Sequence, residues 1–322
     1  MGDTKPTMPQ MCNHITFSFS FKHTKGCLRM VLVMSKRTQK TLSFYKFVER
    51  FPNEEACREY LYSFKWKDGF VCPVCGNQHC YTLKGFGRYQ CTKCRHQTSL
   101  TANTIMHRTH LPLHKWFWAI YLVSCDKRGI SALALSGKIE VSYKSAWYML
   151  KRIREAMRMR DAHYTLCGVV ELDDSYFGAK IKGNRGRKAG NQGVFVAVSM
   201  SKEHTPIYLK MQVTDNIQIP SVQNFVTNNI APGSTVQTDS FRSYIKPLAQ
   251  NYIHESEDFN PNSKHLKWLH QIIANAKAFI NGTYHGTSTK HLQMYLSEFC
   301  FRFNRRSFGG KIFDRLLVAM VG

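Results

Sequence analysis

Carboxylates are scarce in this chain: its 322 residues hold 21 Asp and Glu against 45 Lys and Arg, a formal net charge of +24 and a pI near 9.7. An excess that large points to a polyanionic partner, most often nucleic acid. Long apolar runs are also missing. No stretch approaches the roughly 18 residues that a membrane span needs. The apolar patch from Leu28 to Met34 is short and carries Arg29, so it reads as neither a span nor a signal peptide. No internal repeat occurs at a solenoid or propeller period. The 11 Cys are odd in number and mostly scattered, which fits a reducing cytosol where clustered Cys bind metal rather than form disulfides. What is present is core-forming material. A hydrophobic content of 43% and an aromatic content of 13% exclude a disordered basic tail, and the length suggests two or three domains.

Residues 1–42 form a leader unlike the rest, with alternating Ser and Phe from Phe17 to Phe21 and no helix period. Met34 opens a cleaner sequence. Residues 1–33 therefore read either as upstream of the true start or as a poorly ordered arm. Residues 43–69 form an N-terminal helical stretch, in which Asn53, Glu54 and Glu55 start a helix carrying Ala56, Tyr60 and Leu61 on one side.

Residues 70–98 are Gly-punctuated and Cys-paired. Cys72-Pro-Val-Cys75 and Cys91-Thr-Lys-Cys94 are two CxxC knuckles at the spacing of a four-cysteine zinc site. The interval fits a small hairpin. Four thiolates fill a tetrahedron and leave no open position, so the Zn2+ is expected to be structural. The double spacing argues against four unrelated core cysteines.

Residues 110–162 read as a helix-turn-helix-like DNA-binding segment. A first short helix spans Ile130 to Ile139, a turn Glu140 to Ser142, and a second helix Tyr143 to Arg158 with Ser142 as N-cap. The second helix buries Ala146, Met149, Leu150, Ile153 and Met157 and leaves Lys144, Lys151, Arg152, Arg154 and Arg158 for phosphates. The competing reading is a plain helical linker with a solvated basic face.

From residue 165 to 322 the texture is α/β. Short β-rich runs (Val169–Leu172, Val194–Met200, Ile207–Val213, Thr235–Thr238) give way to helical patterns. Two of these strands end in acids, Asp173-Asp174 and Asp239. Strand ends of an open sheet gather functional groups, and two Asp there can hold Mg2+ through hard oxygens. Strand-end Asp can also be mere turn formers. The loop between the strands, with Lys182, Arg185, Arg187 and Lys188, has five basic residues in positions 180–188 and no acid. Beside a carboxylate site it reads as a grip on the phosphate backbone.

The order of these features resembles a bacterial insertion-sequence transposase of the zinc-ribbon, ISXO-two-like type, the fifteen-ninety-five group. The residues that carry the resemblance are Glu171-Leu-Asp-Asp-Ser-Tyr-Phe-Gly178, Thr238-Asp-Ser-Phe-Arg-Ser-Tyr244, Asn275-Ala-Lys-Ala-Phe-Ile-Asn-Gly-Thr-Tyr-His-Gly286 and Tyr295 to Arg306. It covers the chain from about Ser43 onward, and Gly282 to Gly286 with Glu298 to Arg305 are its most specific parts. The resemblance implies an RNase H-like mixed sheet, two catalytic Mg2+ or Mn2+ ions, and cleavage and joining of DNA strands. Asp173 would be the first catalytic acid and Asp239 the second, with Asp174 in support. The partners would be terminal inverted repeats and target DNA, gripped by a homodimer or larger synaptic complex. No membrane partner is implied, and the expected location is the bacterial cytoplasm, with the nucleoid.

The third carboxylate is the departure. No Asp or Glu lies between Asp258 and Glu298. Similar transposases carry His or Asn with a following Lys there, which leaves His270 or Asn275 with Lys277 in this chain. The helix from His265 to Ile280 has an apolar stripe of Leu266, Leu269, Ile273, Ala276 and Ile280. His270 and Lys277 share its edge, within about 20° of each other, while Asn275 lies about 140° from His270. His270 is therefore preferred and Asn275 stands second. Glu298, Arg302 and Arg305 fall on one face of the last helix. They read as an intrahelical salt bridge, a buttress for the site, or a contact to DNA. The missing acid sustains a rival reading: a zinc-dependent DNA-binding protein derived from an inactive or repurposed transposase.

Overall fold

The computed structural model describes residues 42–83, 87–178, 192–258 and 265–321. The leader, apart from Leu42, and the basic loop with Lys182, Arg185, Arg187 and Lys188 lie outside the described residues.

Helix α1 (Phe44–Arg50) and helix α2 (Glu54–Lys65) start the described chain. Asn53 caps α2 by accepting a hydrogen bond from the Ala56 N–H at 3.0 Å, and Glu54 and Glu55 complement the positive helix end. The ribbon follows as a three-stranded antiparallel sheet, β1 (Cys80–Leu83), β2 (Arg88–Cys91) and β3 (Gln97–Ser99). Helix α3 (Leu113–Cys125) is apolar nearly all round and is the axis of the helical core. Helix α4 (Ala132–Ile139) and helix α5 (Tyr143–Ala162) follow, joined by a short turn. Ser142 accepts from the Ser145 N–H at 3.1 Å, and Ala146, Met149, Leu150, Ile153 and Met157 are buried. The second helix runs four residues beyond the expected Arg158.

The second half is built on a five-stranded sheet of β4 (Val169–Phe177), β5 (Gln192–Met200), β6 (Pro206–Thr214), β7 (Thr235–Asp239) and β8 (Ile253–Glu257). Its order is β6-β5-β4-β7-β8. The β4–β5 and β5–β6 pairs are antiparallel, while β7 pairs parallel with β4 and β8 parallel with β7. Numbered from β4, this is the 3-2-1-4-5 mixed sheet of an RNase H-like fold. Helix α6 (Ile219–Asn229) and helix α7 (Arg242–Leu248) cover one face, where Val170, Leu172, Phe195, Phe225 and Tyr244 form a core. Helix α8 (Lys267–Tyr284) and helix α9 (Thr289–Asn304) cover the other, over Val194, Val196, Val198, Leu269 and Ile273. β5 is buried on both faces, and its Gly-Val-Phe-Val-Ala-Val run shows the continuous apolar pattern of a central strand.

Two expectations need correction. The sequence groups helix α10 (Ile312–Val321) with the catalytic domain, but it packs into the N-terminal helical core. Phe313 lies among the rings of Phe47, Phe51 and Phe117, and the Ile105 N–H donates to the Met320 carbonyl at 3.1 Å. β4 also does not end at its acids. It stays paired with β5 as far as Phe177, so Asp173 and Asp174 sit mid-strand, beyond the Glu171–Gln237 pair that ends the β4–β7 register.

Candidate active site

Parallel pairing makes the two aspartates neighbours. Glu171 stands opposite Gln237, and two residues further along each strand come Asp173 and Asp239. Side chains alternate with a period of two, so both share the face of Glu171, which is the α8 face. The Asp173 carboxylate accepts from the Asp174 N–H at 2.7 Å, and that of Asp239 accepts from the Phe241 N–H at 3.2 Å. Each is thereby fixed by its own backbone. Asp174 points to the opposite face, where the buried Tyr244 phenol donates to it at 3.1 Å. Burial and the carboxylates of Asp174, Asp173 and Asp239 push that phenol well above its ordinary pKa, so it stays a donor.

The third position is delivered by α8. This helix starts on Leu266 in the left-handed region, with no side-chain cap of its own. Its cap comes from the sheet: the buried Glu171 carboxylate accepts from the Leu269 N–H at 3.0 Å, placing a carboxyl at the positive helix end. Burial raises the Glu171 carboxyl pKa, and that N–H and the nearby histidines oppose the rise. His265 adds a second anchor, its Nε2 lying 2.8 Å from the Thr238 carbonyl beside Asp239. With α8 held there, His270 follows directly, its Nε2 3.3 Å from Asp173 Oδ2. The hydrogen bond to Asp173 raises the imidazole pKa, with partial burial opposing. Lys277, two turns on, holds its Nζ 5.5 Å from the ring centre of Phe177, on the Asp173 face of β4. Asn275 is exposed. The structure brings His270 to Asp173 and leaves Asn275 on another side of the helix. Sequence reading misses Glu171 and His265. A glutamate among the apolar residues of a buried strand is the available signal.

Two other expectations change. The sequence assigns Arg154 to phosphates, but it is buried, and its Nε donates to Glu298 at 2.7 Å. Arg302 gives Glu298 a second ion pair at 2.7 Å, while Arg305 turns to Asp161 of α5 at 2.6 Å. Both are largely buried, which removes the DNA-contact reading for them; Glu298 with Arg302 is the expected intrahelical salt bridge, and Arg305 ties α9 to α5. Arg152 is engaged by the Ile105 carbonyl at 2.8 Å. Lys144 and Lys151 remain exposed.

In the ribbon, Sγ atoms of Cys72, Cys75, Cys91 and Cys94 all lie within 4.8 Å of one another, and two of the separations are 3.5 Å. Tetrahedral zinc with Zn–S near 2.3 Å needs sulfur separations of about 3.8 Å, so the donor set fits Zn2+. The knuckles are built alike. Each first cysteine's carbonyl accepts from the N–H four residues on, that of Gly76 in one and Arg95 in the other, both at 3.0 Å. Both of those residues have positive φ, +69° and +58°. Partial desolvation opposes ionisation of Cys91. The N–H groups of Cys94 and Lys93 and the Asn77 amide outweigh it and lower the thiol to about 6.

An RNase H-like sheet with two aspartates level on neighbouring strands, joined to a four-cysteine ribbon, defines the class. Residues 165–304 match the ISXO2-like transposase domain and residues 52–97 the transposase zinc-ribbon domain, together more than half of the chain. The chain thus carries both the zinc-ribbon and the catalytic-type domain of the ISXO2-like transposases. It is similar to an uncharacterized protein in transposable element ISH50 of Halobacterium salinarum, at 23% identity over 79% of this chain and 92% of that protein. It is also similar to an uncharacterized transposase-like protein of Haemophilus influenzae, at 26% identity over 31% of this chain and 84% of that protein. Among solved structures it is similar to a chain of a pre-cleavage Mos1 transpososome, with 12% identity, TM-score 0.27, and coverage of 60% of this chain and 75% of that one. Among the described residues, no helix is long and apolar enough to cross a membrane.

Proposed function

We propose that this chain is the transposase of an insertion sequence, which binds the element's terminal inverted repeats and cuts and rejoins DNA strands there. The observation that carries this reading is the level pair Asp173 and Asp239 on one sheet face, with His270 on Asp173.

Asp173 and Asp239 would hold the divalent ions. Their carboxylate oxygens are the hard donors that Mg2+ and Mn2+ prefer, and the Asp173 oxygen facing His270 is aimed toward α8. Ions held by these two carboxylates would supply charge stabilisation for an in-line displacement, first by water and then by a 3′-hydroxyl. His270 takes the place of the third acid. It adds no negative charge and its imidazole favours softer ions, so Mn2+ is expected to support more activity than Mg2+. Lys277 faces the same strand and would pair with a DNA phosphate. Lys144 and Lys151 on the exposed face of α5 would contact the repeat, helped by the net positive charge. Two ends must meet, so a homodimer or larger complex is the working form, acting on nucleoid DNA in the cytoplasm.

Purified protein should nick a duplex copied from the repeat flanking its gene when Mn2+ or Mg2+ is present. Asp173→Asn should bind that duplex and leave it intact. If wild type and Asp173→Asn are equally inert while both bind, the chain is a DNA-binding derivative of a transposase. The histidine in the third position is the observation that favours that alternative.

A further inference from the structure

The motif Gly282-Thr-Tyr-His-Gly286 has no part in the site described above. It forms the C-terminal end of α8, fourteen residues and about 21 Å along the helix from His270. There it meets the helical module. The Thr283 hydroxyl donates to the Arg128 carbonyl at 2.6 Å, in the loop joining α3 to α4. The Tyr284 phenol donates to the buried Glu298 carboxylate at 3.3 Å, on the oxygen that Arg154 of α5 holds at 2.7 Å. The Arg154 guanidinium stacks over the rings of Tyr284 and Tyr295, 5.2 and 4.2 Å from their centres. The other Glu298 oxygen takes Arg302, whose remaining donor reaches the Asp126 carbonyl at 2.8 Å. The loop is shaped to admit this contact: Gly129 has φ +80°, and a Cβ there would collide with the Tyr284 phenol oxygen.

One buried carboxylate thus gathers α5, α8, α9 and the α3–α4 loop. A second pair, Asp161 with Arg305, repeats the α5–α9 link seven residues further on each helix with the charges exchanged. Sliding α5 by one heptad in either direction would oppose like charges, Arg154 to Arg305 or Asp161 to Glu298. The contact therefore holds a single register.

We propose that Thr283 and Tyr284 are positioning residues. They form the joint through which DNA bound by the α4–α5 module sets α8, and with it His270 and Lys277, over Asp173. This rests on the transposase reading and adds a regulation to it: cleavage waits for correct engagement of the end. The rigid α8 is fastened to Glu171 at one end and to the α3–α4 loop at the other, so a shift of the module at Thr283 is felt at His270.

The test uses the full chain and a duplex of repeat sequence that stops short of the cleavage point, so that no DNA reaches Asp173. Amide hydrogen exchange is followed over residues 269–277, with duplex affinity and thermal melting measured alongside. In wild type, binding should slow exchange in this stretch by about tenfold. In Thr283→Val and Tyr284→Phe, which keep side-chain volume, affinity and melting should stay near wild type, the slowing should vanish, and nicking of a full-length end should fall by about tenfold. Unchanged wild-type exchange in 269–277 on binding overturns the joint and leaves DNA recognition standing. So does a response in both variants equal to that of wild type. Failure of the wild type to bind the duplex overturns the transposase reading, and the joint with it.

Discussion

Deleting the chain from Ile312 onward should unfold the N-terminal helical module and abolish DNA binding. Phe313, Leu316, Leu317 and Met320 of α10 are each at most 1% exposed, in the same core as Phe47, Trp116, Phe117 and Met157. At about 1.5–3 kcal/mol for each large apolar side chain removed from a core, the loss is roughly 6–12 kcal/mol. That matches the whole stability of a typical domain, about 5–15 kcal/mol. Polar ties go with it: Asp314 accepts from the Tyr60 phenol at 2.9 Å and pairs with Arg50 at 3.1 Å. Urea unfolding of the truncated chain, followed by the fluorescence of Trp116 and Trp118, checks this. An unchanged midpoint would mean that α10 merely rests on the core. The C-terminal helix thus closes the module that the N-terminal half begins, and a chain cut after the RNase H-like sheet and its helices would not keep its N-terminal helical module folded.

Glu298→Ala should cost roughly 3–5 kcal/mol, the usual penalty for removing one partner of a buried ion pair. Glu298 is 1% exposed and compensates two guanidinium groups, Arg154 and Arg302. Those groups hold its carboxyl below the usual range, although burial alone would push it up. Without Glu298, two positive charges remain buried beside each other. Loss of the α5–α9 tie also frees Tyr284, so the variant should lose cleavage as well as stability. Charge-free Glu298→Gln should fall between the two. A melting temperature equal to wild type for Glu298→Ala would show that water reaches the cluster and that the pair contributes little.

Local patterns are legible in the sequence and long-range partners are not. Helix α5 declares itself through Ser142 at its cap and an apolar stripe of period 3.6, and the ribbon through two CxxC pairs. β4, β5, β6 and β7 show as apolar runs. β8 does not, because Ile253-His-Glu-Ser-Glu257 is a mostly exposed edge strand with one apolar residue. Arg154 misleads for a general reason. A basic residue on a basic helix looks solvated unless its partner is known, and here the partner lies 144 residues away. The face shared by Asp173 and Asp239 depends on parallel pairing, which neither strand reveals alone. Helix period does separate His270 from Asn275, because both lie on one element and their angular distance is local information.

If Asp173 and Asp239 hold the ions of a strand-cleaving site, their loss must show in the number of Mn2+ ions bound. With zinc retained in the ribbon and the chain bound to its DNA end, paramagnetic resonance of free Mn2+ should give about two ions bound per chain in wild type. Asp173→Asn should bind at least one fewer, and Asp173→Asn combined with Asp239→Asn none at this site. Equal Mn2+ binding by wild type and the double variant would mean that Asp173 and Asp239 hold no ion.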